Sequence, residues 1–171
     1  MPWLIALSGL PGVGKTTLAW ALAGEIGAVH LRVDSIEAAL KRSVLQIHPA
    51  EDAGYLALAA IAKDNLALGR DVIADTVNPV GLTRALWAEA ARVTRARLLN
   101  VEVMCSDAAL HRARVESRRS DIAGLVVPGW EAVLARHFDP WEGDRIVLDT
   151  AHATVPDCVQ RIVGEIRDAR D

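Results

Sequence analysis

A chain of 171 residues, 51% of them apolar, is the size of one domain and can bury a continuous core without disulfides or metal staples. Its 19 Lys and Arg against 22 Asp and Glu leave a net charge of -3 with no block of like charges, which disfavours nucleic acid as a partner. Cys105 and Cys158 match neither a disulfide framework nor a CxxC motif, no basic leader opens the chain, and no apolar stretch nears the roughly 18 residues of a membrane span; a cytoplasmic protein with no membrane partner is expected.

In chain order, Trp3 to Ser8 reads as a strand and Lys15 to Ile26 as an Ala/Leu-rich helix. A strand at Val29 to Val33, helices at Ser35 to Leu45 and Ala50 to Leu68, a strand at Asp71 to Ala74 and a helix at Leu82 to Ala96 follow. Then come a strand at Leu98 to Met104, a helix from Asp107 to Arg119, a looser stretch, a helix from Trp130 to His137, a strand at Arg145 to Leu148 and a closing helix from Val155 to Ala169. Short apolar strands alternating with helices predict an α/β, three-layer fold with a five-stranded parallel sheet, ligands lying outside the strands' carboxyl ends. Residues 1–171 are expected to form one domain, with a lid at about 118–128.

Directly after the first strand stands Gly9-Leu10-Pro11-Gly12-Val13-Gly14-Lys15-Thr16, which fits G-x-x-x-x-G-K-[ST] at every fixed position and opens into a helix. Glycines let successive amide N–H groups turn inward on phosphate oxygens, and the helix N-terminus reinforces them. Gly9, Pro11, Gly12, Val13, Gly14 and Thr17 would shape the cradle, Lys15 would reach the β- and γ-phosphates of ATP, and the Thr16 hydroxyl would ligate Mg²⁺. A dinucleotide reading competes, because Gly12-Val13-Gly14 begins a G-x-G-x-x-G with Asp34 downstream, but Thr17 takes the third glycine's place and Lys15-Thr16 has no purpose there.

Asp34, in Val33-Asp34-Ser35-Ile36-Glu37, falls where the second strand meets its helix, on the sheet edge that carries the phosphate loop. A carboxylate there can orient an acceptor hydroxyl and take its proton; the competing reading makes Asp34 an N-cap, with Glu37 completing a capping box. The phosphate loop, strand, Val33-Asp34-Ser35 and Ile-Glu-Ala run together resemble the chloramphenicol phosphotransferase group of P-loop kinases, whose acceptor-activating aspartate matches Asp34. The arrangement is also similar to that of zeta-toxin kinases and polynucleotide 5'-kinases. The latter follow their aspartate with an arginine where this chain has Glu37 and Ala38.

Asp75 ends the third strand and is followed by Asn78, Arg84 and Trp87, which resembles a D-x-x-N then R-x-x-W pattern of small ATPase-annotated kinases. Asp75 is a candidate for Mg²⁺ or a substrate hydroxyl, with a strand-end turn as the alternative; Asn78 and Arg84 are candidate substrate contacts, although an Arg in an early helical turn is commonly only solvated. Arg112, Arg114, Arg118 and Arg119 lead into the lid, where guanidinium groups can neutralise a transferring phosphoryl group. Helical periodicity puts them on different faces, so not all four converge. The resemblance implies Arg112 or Arg114 against adenine and Arg118 or Arg119 on phosphate; the competing reading is a basic helix end. Trp130, His137, Phe138, Pro140 and Trp141 read as core packing, with the wall of an acceptor or nucleotide pocket as the alternative, and the resemblance to P-loop kinases implies that Thr150 and Ala151 form a backbone turn near the base.

The expectation is therefore a kinase using Mg-ATP on a small hydroxyl compound, with Lys15, Asp34, Arg118 and Arg119 catalytic. A nucleotide-hydrolysing switch and a polynucleotide 5'-kinase are the alternatives.

Overall fold

The computed structural model describes residues 1–169; the end of the expected 1–171 unit, residues 170 and 171, lies outside the described residues. Five strands form one all-parallel sheet in the order β2-β3-β1-β4-β5. They are β1 (Trp3–Ser8), β2 (Val29–Arg32), β3 (Val72–Asp75), β4 (Arg97–Met104) and β5 (Ile146–Asp149). The helices are α1 (Lys15–Ile26), α2 (Val33–Arg42), α3 (Ala53–Ala67), α4 (Gly81–Thr94), α5 (Ala108–Ser117), α6 (Trp130–Leu134) and α7 (Val155–Asp168).

Central β1 explains the three layers. All six of its residues are buried, and alternate side chains leave the pleat on opposite faces. Trp3, Ile5 and Leu7 join α1 and α7 through Leu18, Leu22 and Ile162. Leu4 and Ala6 join α3 and α4 through Leu58, Leu66 and the fully buried Trp87. Each fully buried Leu or Ile contributes roughly 1.5–3 kcal/mol of transfer free energy, which is why short, uniformly apolar strands suffice at the centre.

Several boundaries differ from the sequence reading. β2 stops at Arg32, whose extended backbone (φ -119°, ψ 121°) starts α2 one residue later, so Asp34 already lies in the first helical turn. It is not an N-cap, and the capping box with Glu37 that the competing reading required does not form. α2 ends at Arg42 rather than Leu45, and α3 starts at Ala53 rather than Ala50, leaving a loop between them. α5 ends at Ser117 because Arg118 turns to extended backbone (ψ 133°), and α6 keeps only Trp130–Leu134 of its expected length. Everything from Arg118 to Gly129 is therefore irregular chain beside the carboxyl end of the sheet.

Candidate active site

The turn after β1 is held by contacts that only glycine permits. Gly9 has φ +139°, and a Cβ there would lie 2.1 Å from the Val103 carbonyl oxygen. Gly12 has φ +87°, and its Cβ would meet Val115 Cγ2 at 2.5 Å. Beneath this apex the buried His111 ring pairs its Nε2 with the Pro11 carbonyl at 2.9 Å and packs edge-on against Trp130, so α5 braces the loop from behind. Val13, with a buried side chain, offers its carbonyl to the Thr150 hydroxyl at 2.9 Å. Pro11, Gly12, Gly14, Lys15, Thr16 and Thr17 all line a cleft of about 1100 Å³.

Lys15 lies at its base, its Nζ donating to the carbonyls of Gly9 (2.8 Å) and Leu10 (3.0 Å). Burial lowers its pKa to about 8, against the raising effect of the Asp75 and Asp34 charges. Asp75, the last residue of β3, is buried opposite it, and the strand-end turn reading fails because the carboxylate faces the phosphate loop and not solvent. Burial pushes the Asp75 carboxyl upward; the hydrogen bond from His30 (3.2 Å), the Lys15 charge and the Thr16 hydroxyl outweigh it and hold the group below its ordinary value. Thr16 and Asp75 thus present one hydroxyl and one ionised carboxylate side by side, a set that suits Mg²⁺, which takes few protein ligands and keeps waters and phosphates.

The far side of the cleft is ionic. Asp34 Oδ2 lies 3.8 Å from Arg32 Nη2 and 3.8 Å from Arg118 Nη2, between two guanidinium groups and free of any capping role. Burial, with the neighbouring Asp34 charge, raises the Glu37 carboxyl above its ordinary value. Arg119, Lys41 and Arg136 also line the cleft, and none of the three side chains has a hydrogen bond or ion pair among the described residues.

Other candidates are placed elsewhere. Arg112 is exposed and pairs with Glu116 one turn on, at 2.7 Å, away from the cleft. Arg114 lines the cleft and clamps Thr150, donating to its hydroxyl (2.8 Å) and carbonyl (3.1 Å). Arg84 does not reach the cleft: it donates to the carbonyls of Asn78, Pro79, Asp139 and Pro140, with its guanidinium 4.3 Å from the Trp141 ring, and so fastens the 138–141 segment to the start of α4. Asn78 is fully buried with left-handed backbone (φ 52°), its N–H donating to the Tyr55 hydroxyl at 2.9 Å; its side-chain amide lies outside the cleft lining.

Sequence reasoning missed Arg32, His30, His111 and Arg136. His30 and Arg32 alternate with apolar residues on an edge strand, a period-2 pattern that sets the two polar side chains on one face. For His111 no local pattern existed, since its partner, the Pro11 carbonyl, is 100 positions away, and Arg136 reaches the cleft only through the fold.

These features define a P-loop fold of the kinase type, with a phosphate cradle, a carboxylate pair and arginines around one cleft. The chain belongs to the AAA domain family AAA_33, which it matches over residues 4–139. Its fold is similar to Kti12 of Chaetomium thermophilum, solved with ADP-AlF3 (23% identity, 97% of this chain and 98% of that one, TM-score 0.72). It is also similar to the APS kinase CysC of Mycobacterium tuberculosis, solved with AMPPNP and APS (14% identity, 97% and 98% covered, TM-score 0.67). A gluconokinase of Sinorhizobium meliloti 1021 shares the fold at 18% identity, with 99% and 98% covered and a TM-score of 0.66. No curated protein matches the chain in sequence.

Proposed function

We propose that this protein is a cytoplasmic ATP-dependent phosphotransferase that moves the γ-phosphoryl group of Mg-ATP to a hydroxyl of a small molecule, in the manner of the chloramphenicol phosphotransferase group. The observation that carries this reading is Asp34: a carboxylate with no capping duty, in the same cleft as Lys15 and flanked by Arg32 and Arg118.

In this reading the loop amides and Lys15 hold the β- and γ-phosphates, and Arg114 with Thr150 borders the base. Thr16 and Asp75 would hold Mg²⁺, which would supply positive charge to offset that of the phosphates. Asp34 accepts the acceptor's hydroxyl proton as the new O–P bond forms and the bond to the β,γ-bridging oxygen breaks, leaving ADP. Arg118 and Arg119, at the root of a lid over 118–128, neutralise the equatorial oxygens, and the lid excludes water.

The test is ADP release from Mg-ATP with a panel of hydroxyl compounds, chloramphenicol and a 5'-hydroxyl oligonucleotide included, in the intact protein and in Asp34→Asn. We expect Asp34→Asn to lower acceptor-dependent turnover by about 10²- to 10⁴-fold with nucleotide affinity unchanged. Hydrolysis that no acceptor stimulates and that ignores Asp34 would instead identify a nucleotide switch.

A further inference from the structure

Arg32 is the last residue of β2 and only 7% of its side chain is exposed, yet it forms part of the cleft wall. A guanidinium so buried is expensive unless its donors are met. The main partner comes from the lid: Nη1 of Arg32 donates to both carboxylate oxygens of Asp121, at 2.9 and 2.7 Å. Asp121 lies 89 positions away on irregular chain, and its side chain is 49% exposed. Nε of Arg32 is buried with no partner among the described residues, and Nη2 reaches Asp34 only at 3.8 Å.

A pair built for the fold alone would bury both members and satisfy every donor. Here one member is sealed into the wall with a donor to spare, and the other is a half-exposed carboxylate on a loop. Around them Lys41 and Arg136 face the same cleft without ion-pair partners among the described residues. Arg136 is close enough for its charge to act on Lys15 and Glu37. Lys41 and Arg136 are both exposed to solvent and line the cleft together with Asp34 and Glu37.

We propose that the acceptor carries an anionic group, a carboxylate or a phosphate, beside the hydroxyl it offers, that Arg32 with Lys41 and Arg136 forms the subsite for that group, and that Asp121 occupies the place until the acceptor displaces it. This rests on the kinase reading for the word acceptor, but the anion site itself is readable without turnover. Asp34 takes the hydroxyl, Arg32 takes the charge two residues away, and release of Asp121 frees the lid to close over both. A neutral compound leaves Asp121 in place and offers nothing to the buried Arg32 guanidinium, whose Nε has no partner among the described residues, so the site discriminates at Arg32.

The experiment fills the phosphate loop with Mg-AMPPNP and titrates matched pairs by calorimetry: gluconate against glucitol, and glycerol 3-phosphate against glycerol. In the wild-type protein at least one anionic member is expected to bind about tenfold or more tighter than its neutral partner, and which pair shows it separates carboxylate from phosphate. Asp121→Asn, which removes the competing carboxylate, is expected to tighten the anion several-fold; Arg32→Gln is expected to erase the preference. Equal binding within both pairs, or anion binding indifferent to Asp121→Asn, overturns the subsite. Asp121 lies on the exposed lid, so that variant decides the point even where Arg32→Gln does not fold. ADP release with the same pairs and Mg-ATP separates the two readings. Anion preference without transfer leaves the subsite and sinks the kinase; transfer to neutral members without preference sinks the subsite and leaves the kinase.

Discussion

The two halves of the cleft are built on different principles. The phosphate half comes from eight consecutive residues, Gly9 to Thr16, whose backbone is pressed against Val103, Val115 and His111 until only glycine fits. Its polar groups are met by nearby main chain: Lys15 folds back on the carbonyls of Gly9 and Leu10, and Thr150 closes on Val13. The other half, the acceptor side of the proposed reading, draws Arg32, Asp34, Lys41, Arg118, Asp121 and Arg136 from the end of β2, α2, the 118–128 segment and the turn after α6. Its contacts are ion pairs at up to 3.8 Å with several cations unpaired. A rigid half can wait preorganised for a ligand common to many proteins, whereas a loosely paired half can rearrange around the ligand that sets specificity.

The sharpest way to break this contrast is Gly12→Ala. With φ +87° and Val115 Cγ2 at 2.5 Å from the added methyl, we expect a loss of about 1–3 kcal/mol in unfolding free energy and weakened nucleotide binding, read by denaturant titration and ADP calorimetry. A silent Gly12→Ala would mean that the phosphate half yields as readily as the other.

Proton linkage gives the next effect. Because burial holds Lys15 at about 8, ADP affinity should fall by up to about tenfold per pH unit as pH rises above that value, and Lys15→Met should flatten the profile. The sign for stability is opposite. Between about 8 and the ordinary 10.5 the unfolded chain holds a proton that the folded Lys15 releases, so this residue makes the fold relatively more stable as pH climbs through that window. A thermal melt across the window, wild type against Lys15→Met, checks it.

Smaller effects separate fastening from function among the arginines. Arg84→Ala should lower stability by about 1–3 kcal/mol, since four carbonyls lose a donor, while the acceptor KM of the folded protein stays unchanged. Arg112→Ala, which breaks only an exposed pair with Glu116, should change neither melting nor turnover measurably. A KM shift in either variant would extend the acceptor half beyond the cleft drawn here.

Asp34 and Arg84 show how far the sequence could be read. The place of Asp34 at the carboxyl end of β2 follows from strand-helix alternation alone, because every parallel strand delivers its last residue to the same sheet edge. Whether it capped the helix depended on one residue of phase in α2, which Arg32 decides by staying extended. Arg84 followed a suggestive spacing after Asp75 and Asn78, but the carbonyls it satisfies include those of Asp139 and Pro140, 55 and 56 positions away. Arg112 and Arg114 stand two residues apart on α5, and the helix turns one to solvent and the other to Thr150.

By itself, then, the sequence determined the α/β alternation, the five parallel strands, the phosphate loop, and the positions of Lys15, Thr16, Asp34 and Asp75 at one edge. Each follows from local periodicity or from a contiguous motif whose backbone geometry its glycines dictate. Only the tertiary structure decided which cations meet in the cleft, which are spent on carbonyls, and that Asp121 reaches Arg32. A charged side chain takes the nearest partner in space, and on a chain folded around a twisted sheet that partner is commonly tens of residues away, where no local pattern records it.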